Sequence, residues 1–329
     1  MAGGTVRLGL TLPNRGVVIG ATTVDEMLEL AERADRAGWD SVWVGDSIFA
    51  RPRLDALVLL GALAARTRRV RLGPACFSSA PLRNPLLLAY QWACLDLMSG
   101  GRTVFVACKG QSTGSGSFEK EFQLLGVDPK SRMRRMEETI EILRLTTAHE
   151  HADYQGTFTS FSDVTILPRP VQQPIPIWVV ANPRNTRDFT DIESAFRRVA
   201  KYGDGWMTTW KTPDEVAASL AQIRLYASEA GRPLGPGFEV AIYYNVNVND
   251  NRERAFEESK RFLDAYYSPA KFSRELVERC TALGPPAECI RSIQRFAAAG
   301  ATTITLRLTG YDQATQFKRV TEEILPAFG

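Results

Sequence analysis

Short runs of β-branched or apolar residues recur along this chain, and most lead through a polar turn into an amphipathic helical stretch. Alternation of this kind is typical of βα units and a parallel sheet. The pattern predicts eight strands, at residues 6–12, 41–45, 70–74, 103–107, 177–180, 205–209, 238–248 and 301–308.

The predicted helices fill the intervals between these strands, with an additional helix before the eighth. They span residues 24–37, 54–66, 85–98, 130–147, 191–202, 213–230, 251–265, 286–299 and 313–325. Glycine and prolines divide residues 149–176 into short alternating runs, which indicates irregular structure or a hairpin.

Eight strands with intervening helices in 329 residues favour a closed barrel over an open doubly wound sheet. The main rival is a Rossmann-type fold with a cap, but residues 11–16 after the first strand contain one glycine instead of G-x-G-x-x-G. We therefore predict an α/β protein in which residues 1–329 form a single (β/α)₈ TIM barrel domain, with insertions after strands 4 and 7.

Charge and composition exclude several classes of protein. The 40 basic and 37 acidic residues are interspersed, so no polybasic arm for nucleic acid or membrane is expected. The start of the chain runs into a strand without a signal-peptide pattern and no apolar run approaches a membrane span, which predicts a cytoplasmic location. Five scattered cysteines without a C-x-x-C pair, and two histidines, predict neither disulfides nor a metal site.

In a barrel the chemistry lies where the strands end at their carboxyl edge. For any single residue there, a role in capping a helix or shaping a turn is an equally good interpretation. Arg51 and Arg53, in the long loop after the second strand, could attract an anionic substrate or form a solvated loop face. Trp206 and Trp210 could form an apolar wall for a cofactor or substrate, or pack against helices. We predict that the substrate pocket includes Asn14, Trp206 and Trp210.

Several motifs resemble those of the bacterial luciferase-like flavin oxidoreductases, over roughly residues 6–210. The first is G-W-D-S-V-W-V-G-D at 38–46, around the second strand. The others are R-V-R-L-G at 69–73, L-R-N-P at 82–85, L-D-L-M-S-G-G-R at 95–102, residues 122–128 and 132–143, L-P-R-P-V-Q at 167–172 and Y-G-D-G-W at 202–206.

The resemblance implies that reduced FMN, or a deazaflavin coenzyme in a sister branch, binds at the carboxyl end of the barrel. Its phosphate would lie near the loops after strands 4 and 5. Lys109 fits this independently, because it places a positive charge beside Gly110, whose backbone can approach an anion. The predicted cofactor-binding residues are Ala75, Cys76, Cys108, Lys109, Gly110, Gln111, Ala181, Asn182, Arg184 and Ser194.

Three of these positions have specific alternatives. The resemblance implies a cis peptide between Ala75 and Cys76, where an ordinary trans strand end is the simpler alternative. Cys108 followed by Lys109 is similar to the luciferase branch, and the lysine could lower the pKa of this thiol. After strand five, either Arg184 or Ser194 could hold the phosphate.

Asp46 and Ser47 are the predicted catalytic residues. Relatives commonly have an acidic residue followed by histidine here, and Ser47 cannot carry a proton near neutral pH as imidazole does. Asp46 could contact the flavin, act as a base, or cap the loop before the next helix.

The resemblance favours an FMN-dependent monooxygenase that takes reduced FMN from a separate flavin reductase and oxidises a small organic molecule with O₂. The alternatives are a deazaflavin-dependent reductase or dehydrogenase, and a flavin-binding barrel subunit with little turnover. Residues 110–117 and 266–283 are candidate lids. The resemblance also implies a homodimer that pairs through helices near strands two and three.

Overall fold

The computed structural model describes residues 6–110, 116–183 and 189–329. The eight predicted strands are present in the predicted order, with bounds that differ by two residues at most, and the structure adds three further strands within the described residues. The eleven strands in chain order follow. They are β1 Arg7–Thr11, β2 Ser41–Val44, β3 Arg71–Pro74, β4 Phe105–Ala107, β5 Ala152–Gln155, β6 Ser160–Val164, β7 Ile177–Val180, β8 Gly205–Thr209, β9 Glu239–Val248, β10 Thr281–Gly284 and β11 Thr303–Leu308.

Eight of these strands form a parallel barrel in the order β3, β2, β1, β11, β9, β8, β7, β4. Backbone hydrogen bonds close the ring between β3 and β4, from Leu72 N–H to Arg102 C=O at 2.8 Å and from Phe77 N–H to Val106 C=O at 3.0 Å. The predicted (β/α)₈ barrel is confirmed.

Helices surround the barrel. They are α1 Gly16–Ile19, α2 Val24–Ala37, α3 Ala56–Arg66, α4 Pro85–Ser99, α5 Ser117–Leu124, α6 Arg132–Ala148, α7 Phe189–Tyr202, α8 Pro213–Glu229, α9 Arg252–Tyr266, α10 Arg274–Cys280, α11 Pro286–Ala298 and α12 Gln313–Arg319. No helix within these described ranges is both long and apolar enough to cross a membrane.

Local sequence sets several helix boundaries. Thr23 and Glu26 form a capping box at the start of α2, and Gly38 ends that helix in the left-handed conformation. Asn84 caps α4, whose first residue is Pro85. These boundaries fix where the loops at the carboxyl edge of the barrel begin and end.

The insertions contain one predicted element and two that were not predicted. Of the two alternatives given for residues 149–176, the structure has the hairpin, formed by the antiparallel strands β5 and β6. After β9 and α9, the chain adds α10 and β10, and β10 pairs in parallel with residues 245–248 of β9. This ninth strand of the sheet lies beyond the part of β9 that pairs with β8. The helix predicted at 313–325 ends its α-helical part at Arg319 and continues as a π-helical turn.

Two stacked tryptophans fill the interior of the barrel. The rings of Trp43 and Trp178 lie 5.1 Å apart and are fully buried. Glycines on neighbouring strands make room for them, because a Cβ at Gly9 or Gly73 would come within 2.6 Å of Trp43 and one at Gly205 within 2.5 Å of Trp178. The interior is therefore a packed core and not a channel.

At the amino end of the barrel, two arginines contact two carboxylates. Arg71 lies 2.7 Å from Glu239 and 3.0 Å from Asp40, and Arg7 contacts the same two acidic residues. The charges in this group balance within the chain.

Candidate active site at the carboxyl end of the barrel

Asp46 follows β2 and contacts the loop after β3. Its carboxylate accepts a hydrogen bond from Ser79 N–H at 2.6 Å, and the Ser78 hydroxyl donates to its backbone carbonyl at 2.6 Å. Burial raises the pKa of the Asp46 carboxyl to about 6, although the Ser79 amide and the Arg83 guanidinium both oppose the shift. Asp55 caps α3, so Asp46 is not the cap of that helix.

Ser47 is held by a buried carboxylate that the sequence did not reveal. Glu121 of α5 accepts hydrogen bonds from the Ser47 hydroxyl at 3.3 Å and from the N–H groups of residues 48–50 at 2.5 to 3.1 Å. The Ser47 oxygen also accepts from Arg51 N–H at 3.0 Å. The Ser47 hydroxyl therefore helps to hold the loop after β2 in its conformation.

Cys76 and Cys108 come together beneath the mouth of the barrel. The peptide between Ala75 and Cys76 is cis, as predicted. The Cys76 thiol donates a hydrogen bond to the sulfur of Cys108, which raises the pKa of Cys76 and lowers that of Cys108. The Gly110 amide and the Lys109 charge also lower the pKa of Cys108, so the predicted direction is confirmed but the main cause is the other thiol.

Lys109 and Gly110 follow β4. Lys109 is half-buried and forms no ion pair with any residue the structure describes. Gly110 has φ +71°, and a Cβ there would come 3.0 Å from the Ser78 carbonyl. A glycine is therefore required at this close approach between the loops after β3 and β4.

The carboxyl end of β7 is tied to β8. The Ala181 carbonyl accepts a hydrogen bond from Trp206 Nε1 at 2.8 Å, and the Asn182 amide oxygen accepts from the Thr208 hydroxyl at 3.1 Å. These contacts place Ala181 and Asn182 at the rim beside β4, since β4 and β7 are neighbours in the barrel.

Two predicted ligands, Gln111 and Arg184, lie outside the described residues. Ser194 was predicted at a helix start, but α7 begins at Phe189. Ser194 lies in the second turn of this helix, where its side chain is exposed.

The two predicted tryptophans do not share a face. Trp206 is fully buried between the sheet and α7, where its ring packs edge-on against Phe196 with centroids 6.1 Å apart. Met207 is the neighbour that faces the interior of the barrel. Trp210 follows the end of β8, has φ +61° and packs against Phe272, so strand alternation does not extend to it.

Asn14 joins two loops of the rim. Its side-chain amide donates to the Gly45 carbonyl at 2.7 Å and to the Leu54 carbonyl at 3.2 Å, and its oxygen accepts from Gly45 N–H at 3.1 Å. Asn14 is fully buried, and these bonds fix the loop after β1 against the loop after β2.

Basic and aromatic side chains meet on one arc of the rim. We refer to the following residues as the arginine–tyrosine cluster: Arg15, Arg51, Arg53, Arg307, Tyr266 and Tyr267. Arg15 follows β1, Arg51 and Arg53 follow β2, and Arg307 belongs to β11. The two tyrosines come from the end of α9.

Comparison with known proteins identifies the family. The sequence profile described as "Luciferase-like monooxygenase" matches residues 6–303. This chain belongs to the luciferase-like monooxygenase family.

Relatives of this luciferase-like protein include both coenzyme types. An F420-dependent glucose-6-phosphate dehydrogenase from Kineococcus radiotolerans is 22% identical over 324 residues, which cover 92% of each chain. The oxygenase component of a flavin-dependent trigonelline monooxygenase from Acinetobacter baylyi is 34% identical over 172 residues, covering 50% of this chain and 45% of the relative. The crystal structure of monooxygenase RslO1 from Streptomyces bottropensis is 25% identical, with a TM-score of 0.78 over 98% of this chain and 100% of that one.

The residues at the mouth of this luciferase-like barrel fit a flavin or deazaflavin. Ala75, Cys76 and Val180 pack on the buried apolar cluster that contains Trp43 and Trp178, which gives an isoalloxazine-type ring an apolar floor. Lys109 and the glycine beside it supply a cation and a closely approaching backbone for a phosphate. Among the described residues, no group of three or more His, Cys, Asp or Glu side chains could hold a metal ion.

The histidines of the luciferase-like chain are far from this mouth in the sequence and the fold. The chain has two, His149 and His151. His149 follows the end of α6, and His151 lies at the start of the β5–β6 hairpin, where its Nδ1 is 2.6 Å from Asp163. Both side chains are exposed. The protein therefore has no imidazole to offer at its candidate active site.

Proposed function

We propose that this protein is the oxygenase component of a two-component, FMN-dependent monooxygenase. When bound, reduced FMN would supply two electrons and activate O₂, so that one oxygen atom enters a small organic substrate and the other leaves as water. A separate flavin reductase would deliver the reduced FMN as a transient partner.

The observation that carries the proposal is that no imidazole lies beside the apolar floor, because both histidines of the chain lie elsewhere. Oxygen activation on a flavin needs a pocket from which water and stray protons are kept away. The residue after Asp46 is a serine whose hydroxyl is committed to Glu121, and the chain has no histidine at the barrel mouth. The relatives whose names contain "monooxygenase" support the same reading.

Lys109 and Gly110 are the proposed phosphate site of the coenzyme. The side chain of Lys109 would pair with the phosphate, and the backbone beside Gly110 would approach it. Ala75, Cys76 and Cys108 would lie under the ring, and Asn182 at the neighbouring rim. Asp46 would hold a hydrogen bond to the ring or substrate from its position beside Ser78 and Ser79.

A deazaflavin-dependent reductase or dehydrogenase is the second candidate. The observation that favours it is the raised pKa of Asp46, about 6, because a carboxyl that titrates there could exchange a proton with a substrate during hydride transfer. The F420-dependent dehydrogenases among the relatives agree with this alternative.

We also propose a homodimer through α3 and α4. These helices follow β2 and β3, and they expose the apolar side chains of Val58, Leu87 and Tyr90. Exposed apolar residues on adjacent helices favour association.

Anaerobic titration tests the coenzyme assignment. We expect reduced FMN to bind at least ten times more tightly than reduced deazaflavin, and Lys109→Ala to weaken reduced FMN by about 10- to 100-fold through loss of a charge-assisted hydrogen bond. Lys120→Ala, in which an exposed lysine of α5 is replaced, is the matched control and should bind as the wild type does. Tighter binding of the deazaflavin would favour the second candidate, and unchanged affinity of Lys109→Ala would move the phosphate elsewhere.

A further inference from the structure

The arginine–tyrosine cluster gathers four guanidinium groups around two aromatic rings. Arg307 lies 4.1 Å from the ring centre of Tyr266, and Arg53 lies 5.7 Å from the same ring. Arg51 lies 5.1 Å from the ring centre of Tyr267, whose hydroxyl accepts a hydrogen bond from Arg307 at 3.0 Å. The Arg15 amide donates to the Tyr266 hydroxyl at 3.3 Å.

None of these arginines has a carboxylate partner in the part of the chain that the structure describes. Every ion pair found there involves other residues. Nε and Nη1 of Arg15 and Nε of Arg307 are buried without a hydrogen-bond partner. Arg15 is 8% exposed and Arg307 is 1% exposed, so solvent does not satisfy these atoms. Unpaired charge at such depth is costly unless something neutralises it.

The electrostatics of the cluster agree with an excess of positive charge. Burial lowers the pKa of Arg15, and the charges of Arg53 and Arg51 lower it further. The pKa of Tyr266 is lowered although burial raises it, because Arg307, Arg53 and Arg15 together outweigh the burial effect. Contact with tyrosine rings explains part of the packing, at roughly 1 to 2 kcal/mol for each buried cation–π contact, but it leaves Nε and Nη1 of Arg15 and Nε of Arg307 without acceptors.

The nearest carboxylate does not serve as a counter-ion for the whole cluster. Asp46 lies close enough to Arg53 for that arginine to lower its pKa, yet the net effect at Asp46 is a raised pKa caused by burial. Its oxygen is already bound by Ser79 N–H. One carboxyl that is partly protonated near neutral pH cannot balance four guanidinium groups.

The cluster also lies on a different arc of the rim from the proposed phosphate site. Its arginines come from the ends of β1, β2 and β11, which are adjacent in the barrel. Lys109 follows β4, which is separated from β2 by β3 alone in the closed ring. The cluster and the proposed phosphate site are therefore built from different strands, and the variants below test whether they bind different anions.

We propose that the arginine–tyrosine cluster binds the anionic oxygen group of the substrate, which makes the substrate a small organic acid. Guanidinium groups match the planar, two-oxygen geometry of a carboxylate, and the Tyr266 and Tyr267 rings offer apolar surface to the carbon skeleton beside it. This inference rests on the proposed function for the reaction, but the anion site itself does not depend on which coenzyme binds.

The test compares organic acids with their neutral amides. Benzoate and hexanoate, and separately benzamide and hexanamide, are titrated into the full-length protein at constant ionic strength, with and without reduced FMN under anaerobic conditions. Binding is followed by calorimetry in the wild type, Arg51→Gln, Arg53→Gln and Arg15→Gln. The first two replace half-buried side chains, so they keep the test valid if Arg15→Gln does not fold.

We expect at least one acid to bind about ten times more tightly than its amide, and each variant to lose about tenfold for that acid with no change for the amide. Arg36→Gln is the matched control, because Arg36 is exposed in the last turn of α2 and pairs with Glu32. Its acid affinity should equal that of the wild type.

Three results would overturn the inference: equal binding of both acids and their amides, an equal loss in Arg36→Gln, or a loss of reduced FMN affinity in the cluster variants that matches the loss of acid affinity. The third result would assign the cluster to the coenzyme. Failure of reduced FMN to bind would instead count against the proposed function alone, because acid binding is also measured without flavin.

Discussion

Arginines lie at both ends of this barrel, and their surroundings differ. At the amino end, Arg7 and Arg71 share the carboxylates of Asp40 and Glu239. At the carboxyl end, Arg15 and its partners in the arginine–tyrosine cluster form no such pairs within the described residues, and some of their nitrogen atoms are buried without acceptors.

The difference shows what each end does. At the amino end the chain supplies both signs of charge, so the group serves stability. At the carboxyl end, the arginines of the arginine–tyrosine cluster have no carboxylate partner within the described residues, and under our proposal the balancing charge comes from a ligand. This division agrees with the general rule that barrels of this kind keep their chemistry at the carboxyl ends of the strands.

One of the two largest effects is expected at the amino end, for Glu239→Gln. The substitution leaves Arg7 and Arg71 with one carboxylate, and we expect a loss of about 2 to 3 kcal/mol in the free energy of unfolding, discounted for partial exposure of the group. Denaturant unfolding measures it. Glu275→Gln, at a side chain that is 85% exposed, should change the free energy by less than about 0.5 kcal/mol. If Glu239→Gln and Glu275→Gln changed the free energy of unfolding equally, the ion pairs of Glu239 would not stabilise the amino end, and the contrast between the two ends would be wrong.

Asp46→Asn tests whether Asp46, at the carboxyl end, is a structural counter-ion as Glu239 is at the amino end. The folded pKa of Asp46, about 6, exceeds the unfolded value of about 3.9, so ionisation favours the unfolded state. The wild type therefore loses stability relative to the variant as pH rises from about 4 to 6, and the difference stays at up to about 3 kcal/mol above pH 6.

Unfolding of both proteins at pH 4 and pH 7.5 provides the measurement. We expect equal stability at the lower pH and a more stable variant at the higher one. If Asp46→Asn is instead less stable at pH 7.5, Asp46 acts as a structural counter-ion, as Glu239 does, and the distinction between the ends is wrong.

The smallest effect is expected for Arg51→Gln. Burial of this charge and repulsion from Arg53 oppose its contacts with the rings of Phe118 and Tyr267, so the free energy of unfolding should change by less than about 0.5 kcal/mol in either direction. Thermal unfolding without ligands compares it with the wild type and with Arg66→Gln, which loses an exposed ion pair with Glu32. A loss above about 1 kcal/mol would show that Arg51 is structural.

The strands of the barrel were predictable because their β-branched runs are buried on both faces and bounded by turns. Residues 177–180 and 205–209 were predicted with the bounds that β7 and β8 have. The ninth strand, β10, was missed because residues 281–284 are short and follow a helix that sequence periodicity did not indicate.

The sequence predicted where the candidate site residues lie along the chain, but not which side chains contact each other. Asp46, Cys76, Cys108 and Lys109 follow strands, which placed them at one edge, but the bond between the two thiols depends on side-chain positions that a pattern does not contain. Glu121 was missed because it lies in an insertion, far in sequence from the loop it binds. The arginine–tyrosine cluster joins positions as distant as Arg15 and Arg307, and only the closed barrel brings them together.

The most direct test of the account is rapid mixing of the protein-bound reduced FMN with oxygenated buffer, followed by absorbance. We predict an oxygen-dependent transient whose lifetime is longer than the reoxidation of free reduced FMN and increases when an organic acid occupies the arginine–tyrosine cluster. Reoxidation at the rate of free flavin without a transient, together with hydride transfer by bound reduced deazaflavin, would contradict the monooxygenase assignment.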